Sequence, residues 1–308
     1  MPRISQLSRF QGCLLGLAIG DALGAAVEFK SRGTFEPVTG MRGGGTHGLK
    51  PGEWTDDTSM ALCLADSLIE VGFDPADQMD RYWRWYSEGY NSVNEKCFDI
   101  GIATREALMR WRKTGEPFSG SASPDTAGNG ALMRLAPIAM RYAFDPFIAM
   151  EYADKSTLTT HGAPEARICS KIFAARLVAE LTENHEGPMG PAGYPQGSRT
   201  MGIAMKGYLK NSRSQIHGTG YCVESLEAAL WCVDTTNSFK DAVLMAVNLG
   251  DDSDTTGAIA GQLAGAKYGV RSIPSDWISQ LAQADRISGI AQNLMDLFKA
   301  ERKQKLKL

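Results

Sequence analysis

The chain has 308 residues, and its 43% hydrophobic and 22% charged residues are the composition of an ordinary globular protein. Its net charge of −3 offers no bulk electrostatic attraction to nucleic acid or to a membrane surface, so we expect neither as a partner. The six cysteines form no CxxC pair, which argues against a zinc ribbon and is typical of reduced core cysteines, so we expect a cytoplasmic protein.

The first predicted helix carries a row of glycines at four-residue spacing. These are Gly12, Gly16, Gly20 and Gly24. Residues four apart share one face of a helix, and each glycine costs a helix about 1 kcal/mol relative to alanine, so the row indicates a face that another helix approaches closely. We expect this helix to be buried and to end near Glu28. The apolar run after Arg3 and Arg9 also resembles a short signal peptide, but Asp21 and the glycines favour a buried helix.

A long irregular segment, residues 30–54, separates this helix from the next. Compact domains rarely contain such a segment unless it has a function. It leads directly to Thr55, Asp56 and Asp57, after which the helical spacing of apolar residues resumes. A pair of carboxylates therefore stands at the start of a predicted helix.

The middle of the chain is a series of helices and glycine-rich breaks. The helices are predicted over residues 75–86, 98–111, 145–157, 163–183, 199–210, 224–234 and 238–248. Gly128, Asn129 and Gly130 precede a further short helical segment, where bare backbone N–H groups suit a phosphate, although an ordinary turn is the alternative. His161 lies in a break between two helices, and residues 185–198 form a Gly/Pro-rich loop that we expect at the rim of the site.

Three aspartates, Asp251, Asp252 and Asp254, are crowded immediately before the next helix. Acidic residues at a helix start are often only caps, but three within four positions favour a divalent cation, which takes several oxygen ligands. A calcium-binding EF-hand is excluded because Leu263 stands where its bidentate glutamate is required. Further ligands must therefore come from elsewhere in the chain.

The helix after these aspartates carries a second row of glycines. Its members are Gly257, Gly261, Gly265 and Gly269. We expect both rows to be buried, packed on each other or on neighbouring helices. Because alternating strand patterns and linkers are lacking, the sequence predicts an all-α protein of about a dozen helices in a single compact domain over residues 1–308.

The two aspartate-rich junctions predict the chemistry of the site. Thr55, Asp56 and Asp57 would provide one half of an oxygen cage, and Asp252, Asp254 and Thr255 the other half. An all-oxygen donor set favours Mg²⁺ or Mn²⁺ over zinc, and this number of oxygens can hold two ions. With a glutamate nearby to move protons, the residues indicate a hydrolase with two metal ions and an oxygen-rich substrate.

Five motifs in combination resemble the ADP-ribosylglycohydrolase family, the group related to dinitrogenase reductase-activating glycohydrolase. They are GDALG at 20–24 with Glu28, WTDDT at 54–58, GNGALMR at 128–134, TH at 160–161 and DSDT at 252–255. Their order and spacing match the family's from about residue 8 to residue 272. Asp251 stands where many members of the family have a glycine, so the resemblance leaves its role open.

The resemblance implies an all-α fold with a central binuclear Mg²⁺ or Mn²⁺ site. The residues that match the family's metal ligands are Thr55, Asp56, Asp57, Asp252, Asp254 and Thr255. Those that match substrate contacts are Gly128, Asn129, Gly130 and His161, with Asp99 and Tyr221 as less secure matches. Glu28 matches a glutamate implicated in catalysis in some members, and Glu28, Asp56 or a metal-bound water could supply the proton to the leaving group.

The implied reaction is hydrolysis at the anomeric carbon of the distal ribose in an ADP-ribosylated protein, with arginine as the favoured linkage, or in an ADP-ribose-containing small molecule. The pyrophosphate would lie on the N–H groups of residues 128–130, and Tyr221 is a candidate platform for adenine. We expect a monomer. The alternatives are a relative that binds ADP-ribose without turnover and another binuclear-metal hydrolase, such as a nucleotide pyrophosphatase.

Overall fold

The computed structural model describes residues 3–185 and 197–305, so most of the loop predicted at 185–198 lies outside the described residues. The described part contains fourteen α-helices and four short 3-10 helices, with isolated bridges but no strand. The α-helices are α1 (Gln6–Gly24), α2 (Asp56–Glu70), α3 (Pro75–Glu88), α4 (Ile102–Thr114), α5 (Gly130–Met133), α6 (Ala136–Arg141), α7 (Pro146–Leu158), α8 (Pro164–Thr182), α9 (Arg199–Ala204), α10 (Cys222–Asp234), α11 (Phe239–Val247), α12 (Ser253–Tyr268), α13 (Ser275–Gln280) and α14 (Ala284–Lys305). The all-α prediction is confirmed, while the extent of the domain over residues 1–308 stays a prediction.

The two glycine-bearing helices, α1 and α12, pack against each other in antiparallel directions. A Cβ atom built on Gly16 would lie 2.2 Å from the carbonyl oxygen of Gly261, and one built on Gly261 would lie 2.0 Å from that of Gly16. Gly20 and Gly257 face each other in the same way, since a Cβ atom built on Gly20 would lie 2.0 Å from the carbonyl oxygen of Gly257. Because helices that carry side chains pack with their axes 8–10 Å apart, only glycine allows this direct contact of backbones. The expectation that the two rows are buried and pack together is confirmed.

Other helices surround this central pair. Helices α8, α10 and α11 pack on α12, and α2 and α14 pack on α1. The core between them contains large, fully buried side chains such as Phe10, Phe173 and Phe239. The chain thus holds α1 and α12 rigidly, and the N-terminus of α12 lies beside the C-terminal end of α1.

Three helix boundaries differ from the sequence prediction. The first helix ends at Gly24, and turns continue the chain to Phe29. Helix α4 begins at Ile102 rather than residue 98, because Asp99 has a left-handed backbone (φ 63°) and Gly101 is the N-cap. The helix predicted over 199–210 ends at Ala204, because Lys206 also has a left-handed backbone (φ 56°) and a 3-10 turn follows. None of the helices described has the length and apolar character needed to span a membrane.

Candidate active site

The packing of α1 on α12 places the second aspartate cluster beside α1. Gly24 approaches α12 so closely that a Cβ atom there would lie 2.3 Å from the Ser253 carbonyl oxygen and 2.5 Å from the Asp254 amide nitrogen. Ser253 Oγ in turn donates a hydrogen bond of 2.8 Å to the Gly24 carbonyl. The start of α12 therefore cannot move without moving the end of α1.

Asp21 on α1 links the first aspartate cluster to the same place. Its Oδ1 accepts from the Thr55 amide at 2.8 Å, and its Oδ2 accepts from the Thr58 amide at 3.0 Å and from the Thr58 hydroxyl at 2.6 Å. The N-cap residue Thr55 makes no side-chain cap bond of its own. A carboxylate from α1 thus caps α2, which satisfies N–H groups that a helix start leaves free. Burial raises the pKa of Asp21 to about 6, although the hydrogen bonds from Thr58 and Thr55 lower it.

The residues predicted as metal ligands lie together at the meeting point of α1, α2 and α12. Thr55 Oγ1 lies 3.3 Å from Asp254 Oδ2 and 3.5 Å from Asp57 Oδ2, and Thr255 Oγ1 lies 3.4 Å from Asp57 Oδ2. Carboxylate oxygens of Asp254, Asp252 and Glu28 lie within 4.8 Å of one another. Asp56 lines the same cavity as Asp252, Asp254 and Thr255.

This arrangement fits a site for divalent cations. Oδ1 of Asp57 and Oδ1 of Asp254 are buried and accept no hydrogen bond from any described residue. Burial, reinforced by the neighbouring carboxylates, raises the pKa values of Asp56, Asp57 and Asp254 well above their usual range. Crowded, buried carboxylates repel each other unless cations neutralise them, and an all-oxygen donor set suits Mg²⁺ or Mn²⁺.

The acidic residues open into a cavity of about 440 Å³, which is large enough for part of a nucleotide. The predicted site residues among its lining are Glu28, Asp56, Asp99, Gly128, Asn129, Gly130, His161, Asp252, Asp254 and Thr255. Residues from six separate parts of the chain therefore meet around one cavity.

Asn129 connects the loop before α5 to the acidic cluster, and His161 packs against the same loop. Asn129 Nδ2 donates to Asp252 Oδ2 at 2.7 Å, which orients that carboxylate. The His161 ring packs on Gly130, where a Cβ atom would lie 2.8 Å from Cε1, and its Nδ1 lies 2.8 Å from Thr160 Oγ1. Burial, together with nearby Arg134, lowers the pKa of His161 to about 3, so the ring is neutral at physiological pH.

The loop at 128–130 differs in one respect from the expectation that its N–H groups are open to a pyrophosphate. The Gly128 amide donates to the Thr126 carbonyl at 2.8 Å, and the Asn129 amide donates to the Gly220 carbonyl at 3.1 Å. Two of the three N–H groups are thus used within the protein, one inside the loop itself and one on the segment before α10. A ligand here would have to be bound by other atoms of the loop.

Tyr221, the candidate platform for adenine, lies beside the main cavity rather than in it. It lines a neighbouring cavity of about 520 Å³, which shares Gly128 and Ile102 with the first. Its hydroxyl donates a hydrogen bond of 2.5 Å to Glu165, so the ring is held in place. The contact of Tyr221 with adenine stays a prediction.

The comparisons with known proteins decide the family. A family model described as ADP-ribosylglycohydrolase matches residues 2–304. This chain belongs to the ADP-ribosylglycohydrolase family. The resemblance of the motifs is confirmed, and the chain is a glycohydrolase.

Individual relatives resemble this glycohydrolase over most of its length. A protein of Pseudomonas putida (strain GB-1) named ADP-ribosylarginine hydrolase Tri1 is 46% identical over 292 residues, 94% of this chain and 78% of that protein. An ADP-ribosyl-[dinitrogen reductase] glycohydrolase of Rhodospirillum rubrum is 34% identical over 279 residues, 89% of this chain and 90% of that one. A solved structure titled ADP-ribosylglycohydrolase-related protein complex matches with a TM-score of 0.83 and 41% identity, covering 95% of this chain and 99% of that one.

His47 is a residue of the glycohydrolase site that the sequence analysis did not single out. Its Nε2 lies 3.1 Å from Asp99 Oδ1 and 3.5 Å from Glu28 Oε2. Burial, followed by the charges of Asp99 and Asp252, raises the pKa of Glu28 to about 9, and burial also raises the pKa of Asp99. The available signal was the long segment 30–54, which was predicted to be functional and has His47 as its one histidine.

Asp251, whose role the family resemblance left open, fixes the backbone of the turn after Glu28. Its amide donates to the Lys30 carbonyl and its carbonyl accepts from the Phe29 amide, both at 2.8 Å. Asp251 has a left-handed backbone (φ 57°), a conformation that glycine adopts freely and aspartate tolerates. The requirement at this position is therefore a backbone conformation, which agrees with glycine in many members of the family.

Proposed function

We propose that this glycohydrolase hydrolyses the bond between ADP-ribose and a modified protein side chain, with arginine as the favoured linkage. The observation that carries the proposal is the meeting of both aspartate–threonine clusters with Glu28 at a single cavity. The arginine linkage is supported by the relative named ADP-ribosylarginine hydrolase, which is 46% identical over most of this chain.

Six side chains would hold two divalent ions, Mg²⁺ or Mn²⁺. They are Thr55, Asp56, Asp57, Asp252, Asp254 and Thr255. When bound, such ions would supply positive charge that orients the ribose hydroxyls and polarises a water. Asp21 would keep the first three in place through the cap of α2, and Asn129 would orient Asp252 through its amide.

Glu28 is the proposed proton donor to the leaving side chain, and Asp56 is the other candidate. Glu28 is 3% exposed, lines the cavity, and its Oε2 makes no hydrogen bond within the described residues. A buried carboxyl group of this kind can hold a proton and deliver it to a departing nitrogen. The surrounding negative charge would stabilise the oxocarbenium-like transition state at the anomeric carbon.

The loop at 128–130 and His161 would bind the ADP-ribose. Neutral His161 packs directly against Gly130. A larger side chain at Gly130 would therefore displace the His161 ring and change the side of the cavity along which the ligand would lie. Asp99 lines the cavity beside Glu28 and would contact the ribose. The monomeric state and the cytoplasmic location stay predictions.

One panel of substrates tests the proposal. The protein is incubated with arginine-, serine- and phosphate-linked ADP-ribose, with and without Mg²⁺ or Mn²⁺, and the products are separated by chromatography. Release of free ADP-ribose that requires the metal, fastest from arginine, supports the proposal. Tight binding of ADP-ribose without turnover would instead indicate a non-catalytic relative, and cleavage to AMP would indicate a nucleotide pyrophosphatase.

A further inference from the structure

The side chains of Glu28, His47 and Asp99 form a compact group at the edge of the active-site cavity, beside the proposed binuclear site. Each of them places one potential ligand atom within 4.8 Å of the other two. Glu28 is nearly completely buried, and its Oε2 points at His47 Nε2 from 3.5 Å. This oxygen, His47 Nε2 and Asp99 Oδ2 are all buried and lack a hydrogen-bond partner among the described residues.

Two of the distances in this group are compatible with ligands that share one metal ion. Nε2 of His47 lies 3.1 Å from Asp99 Oδ1 and 3.5 Å from Glu28 Oε2, yet neither contact has the direction of a hydrogen bond. Ligand atoms about 2.0–2.1 Å from a tetrahedral zinc ion lie roughly 3.4 Å from each other. His47 Nε2 and Glu28 Oε2, which lack a hydrogen-bond partner among the described residues, thus have the spacing of two ligands of one small cation, and Asp99 Oδ1 lies beside the same nitrogen.

The segment around His47 is held firmly against the rest of the protein. Gly44 and Leu49 exchange two backbone hydrogen bonds, of 2.7 and 3.0 Å, which close the turn that carries His47. Gly45 lies so close to α1 that a Cβ atom there would be 1.9 Å from the Ala25 carbonyl oxygen. The His47 ring also packs on Phe98, with 5.2 Å between centroids. A preorganised histidine binds a metal without the entropic cost of ordering a loop.

We propose that Glu28, His47 and Asp99 form a third metal site, which binds Zn²⁺ and is distinct from the all-oxygen site for Mg²⁺ or Mn²⁺. The imidazole decides the metal, because nitrogen ligands suit zinc whereas Mg²⁺ prefers oxygen alone. One histidine and two carboxylates would hold the ion with three protein ligands, as in zinc sites that take a water as the fourth ligand.

A zinc ion at this site has a consequence for turnover that rests on the proposed function. Glu28 would serve as a zinc ligand and could no longer carry the proton to the leaving side chain. Zinc would therefore inhibit the enzyme even when Mg²⁺ occupies the binuclear site. Zinc binding is measured without substrate and does not depend on the role of Glu28 as proton donor. The zinc site and the proposed function can therefore be refuted independently of each other.

The test measures zinc binding to the full chain in a large excess of Mg²⁺. Equilibrium dialysis followed by elemental analysis gives the zinc bound per chain, and Co²⁺, which absorbs visible light in such sites, gives a spectroscopic readout. We expect one zinc per chain for the unchanged protein and at least about 10-fold weaker binding for His47→Gln and for Asp99→Asn, because each removes a ligand. The exposed His185 provides a matched control, and His185→Gln should bind zinc like the unchanged protein.

Several results would overturn the proposal. The first is an unchanged zinc affinity of the His47→Gln variant, provided that this variant keeps the circular dichroism spectrum and the Tm of the unchanged protein. Loss of zinc binding in Asp254→Asn but not in the His47 and Asp99 variants would locate the zinc in the binuclear site instead. A fall in turnover of His47→Gln with unchanged zinc binding would make His47 a positioning residue for the two carboxylates.

Discussion

The carboxylate of Asp21 accepts a hydrogen bond of 2.6 Å from the hydroxyl of Thr58, and the same carboxylate oxygen accepts from the Thr58 amide. This contact joins the last turn of α1 to the start of α2, residues far apart in the chain. It replaces the local N-cap that Thr55 does not provide. The aspartates that follow Thr55 are therefore held in place by a residue outside the cavity.

The first prediction concerns this cap. Asp21 accepts from the amides and the hydroxyls of both Thr55 and Thr58. Asp21→Asn should lower the free energy of unfolding by about 1–3 kcal/mol, because the amide group cannot accept from all four donors and leaves buried N–H groups unpaired. It should also weaken Mn²⁺ binding, because Thr55, Asp56 and Asp57 lose their support. Urea unfolding and calorimetric titration measure the two effects. Asp74 caps α3 by accepting from two amides away from the site, so Asp74→Ala, which removes that cap, is the control. The Asp74 variant should lose stability and bind Mn²⁺ like the unchanged protein. Mn²⁺ binding by the Asp21 variant that equals that of the unchanged protein would contradict the prediction.

The second prediction concerns the contact between α1 and α12. Gly261→Ala would place a Cβ atom 2.0 Å from the Gly16 carbonyl oxygen, and backbone cannot move aside as a flexible side chain can. We expect a loss of at least about 3 kcal/mol in the free energy of unfolding, or no folded protein. Gly289 in α14 has open space around its Cβ position, so Gly289→Ala should stabilise the protein by up to about 1 kcal/mol. Similar Tm values for the two variants would show that the backbones of α1 and α12 are not in direct contact at Gly261.

The third prediction separates metal binding from folding. Asp57→Asn and Asp254→Asn keep the shape of the side chain and remove one negative charge from a crowded, buried group. Without metal, both variants should be at least as stable as the unchanged protein, because repulsion between carboxylates is reduced. The rise in Tm that Mn²⁺ produces should be lost, together with hydrolase activity. Asp251→Asn, next to the same cluster, should retain both, and full activity in either of the first two variants would refute the assignment of ligands.

The fourth prediction follows from the neutral His161. Its pKa in the folded protein is about 3, below the value of about 6.5 for an unfolded chain. Between these values the unfolded chain binds a proton that the folded protein does not, so stability is present above pH 6.5 and is lost as the pH falls towards 3. Below pH 6 the unchanged protein should lose about 1.4 kcal/mol more per pH unit than His161→Gln.

Urea unfolding at pH 6.5, 5.5 and 4.5 measures this difference in slope. His217 is exposed, so His217→Gln should show the same pH dependence as the unchanged protein. Parallel curves for the His161 variant and the unchanged protein would mean that His161 is accessible to protons in the folded state.

Much of the fold and of the candidate site could be predicted from local sequence patterns. Helical periodicity depends on neighbouring residues, so the existence of most helices was predictable. The misplaced boundaries were the end of α1, at Gly24, and two boundaries near the left-handed residues Asp99 and Lys206. The glycine rows indicated a close helix contact because nothing else offsets the cost of glycine in a helix. The aspartates indicated a cation site because crowded carboxylates need neutralising charge.

By itself, the sequence determined that the chain is all-α, that two glycine faces must be buried and that its aspartates form an oxygen-rich site. Only the tertiary structure decided which groups meet there. The pairing of Gly16 with Gly261, the cap that Asp21 provides and the approach of His47 to Glu28 and Asp99 join residues distant in the chain. The physical reason is that a periodicity shows which face of a helix is buried, whereas the partner of a buried polar atom depends on how helices pack and where a loop returns.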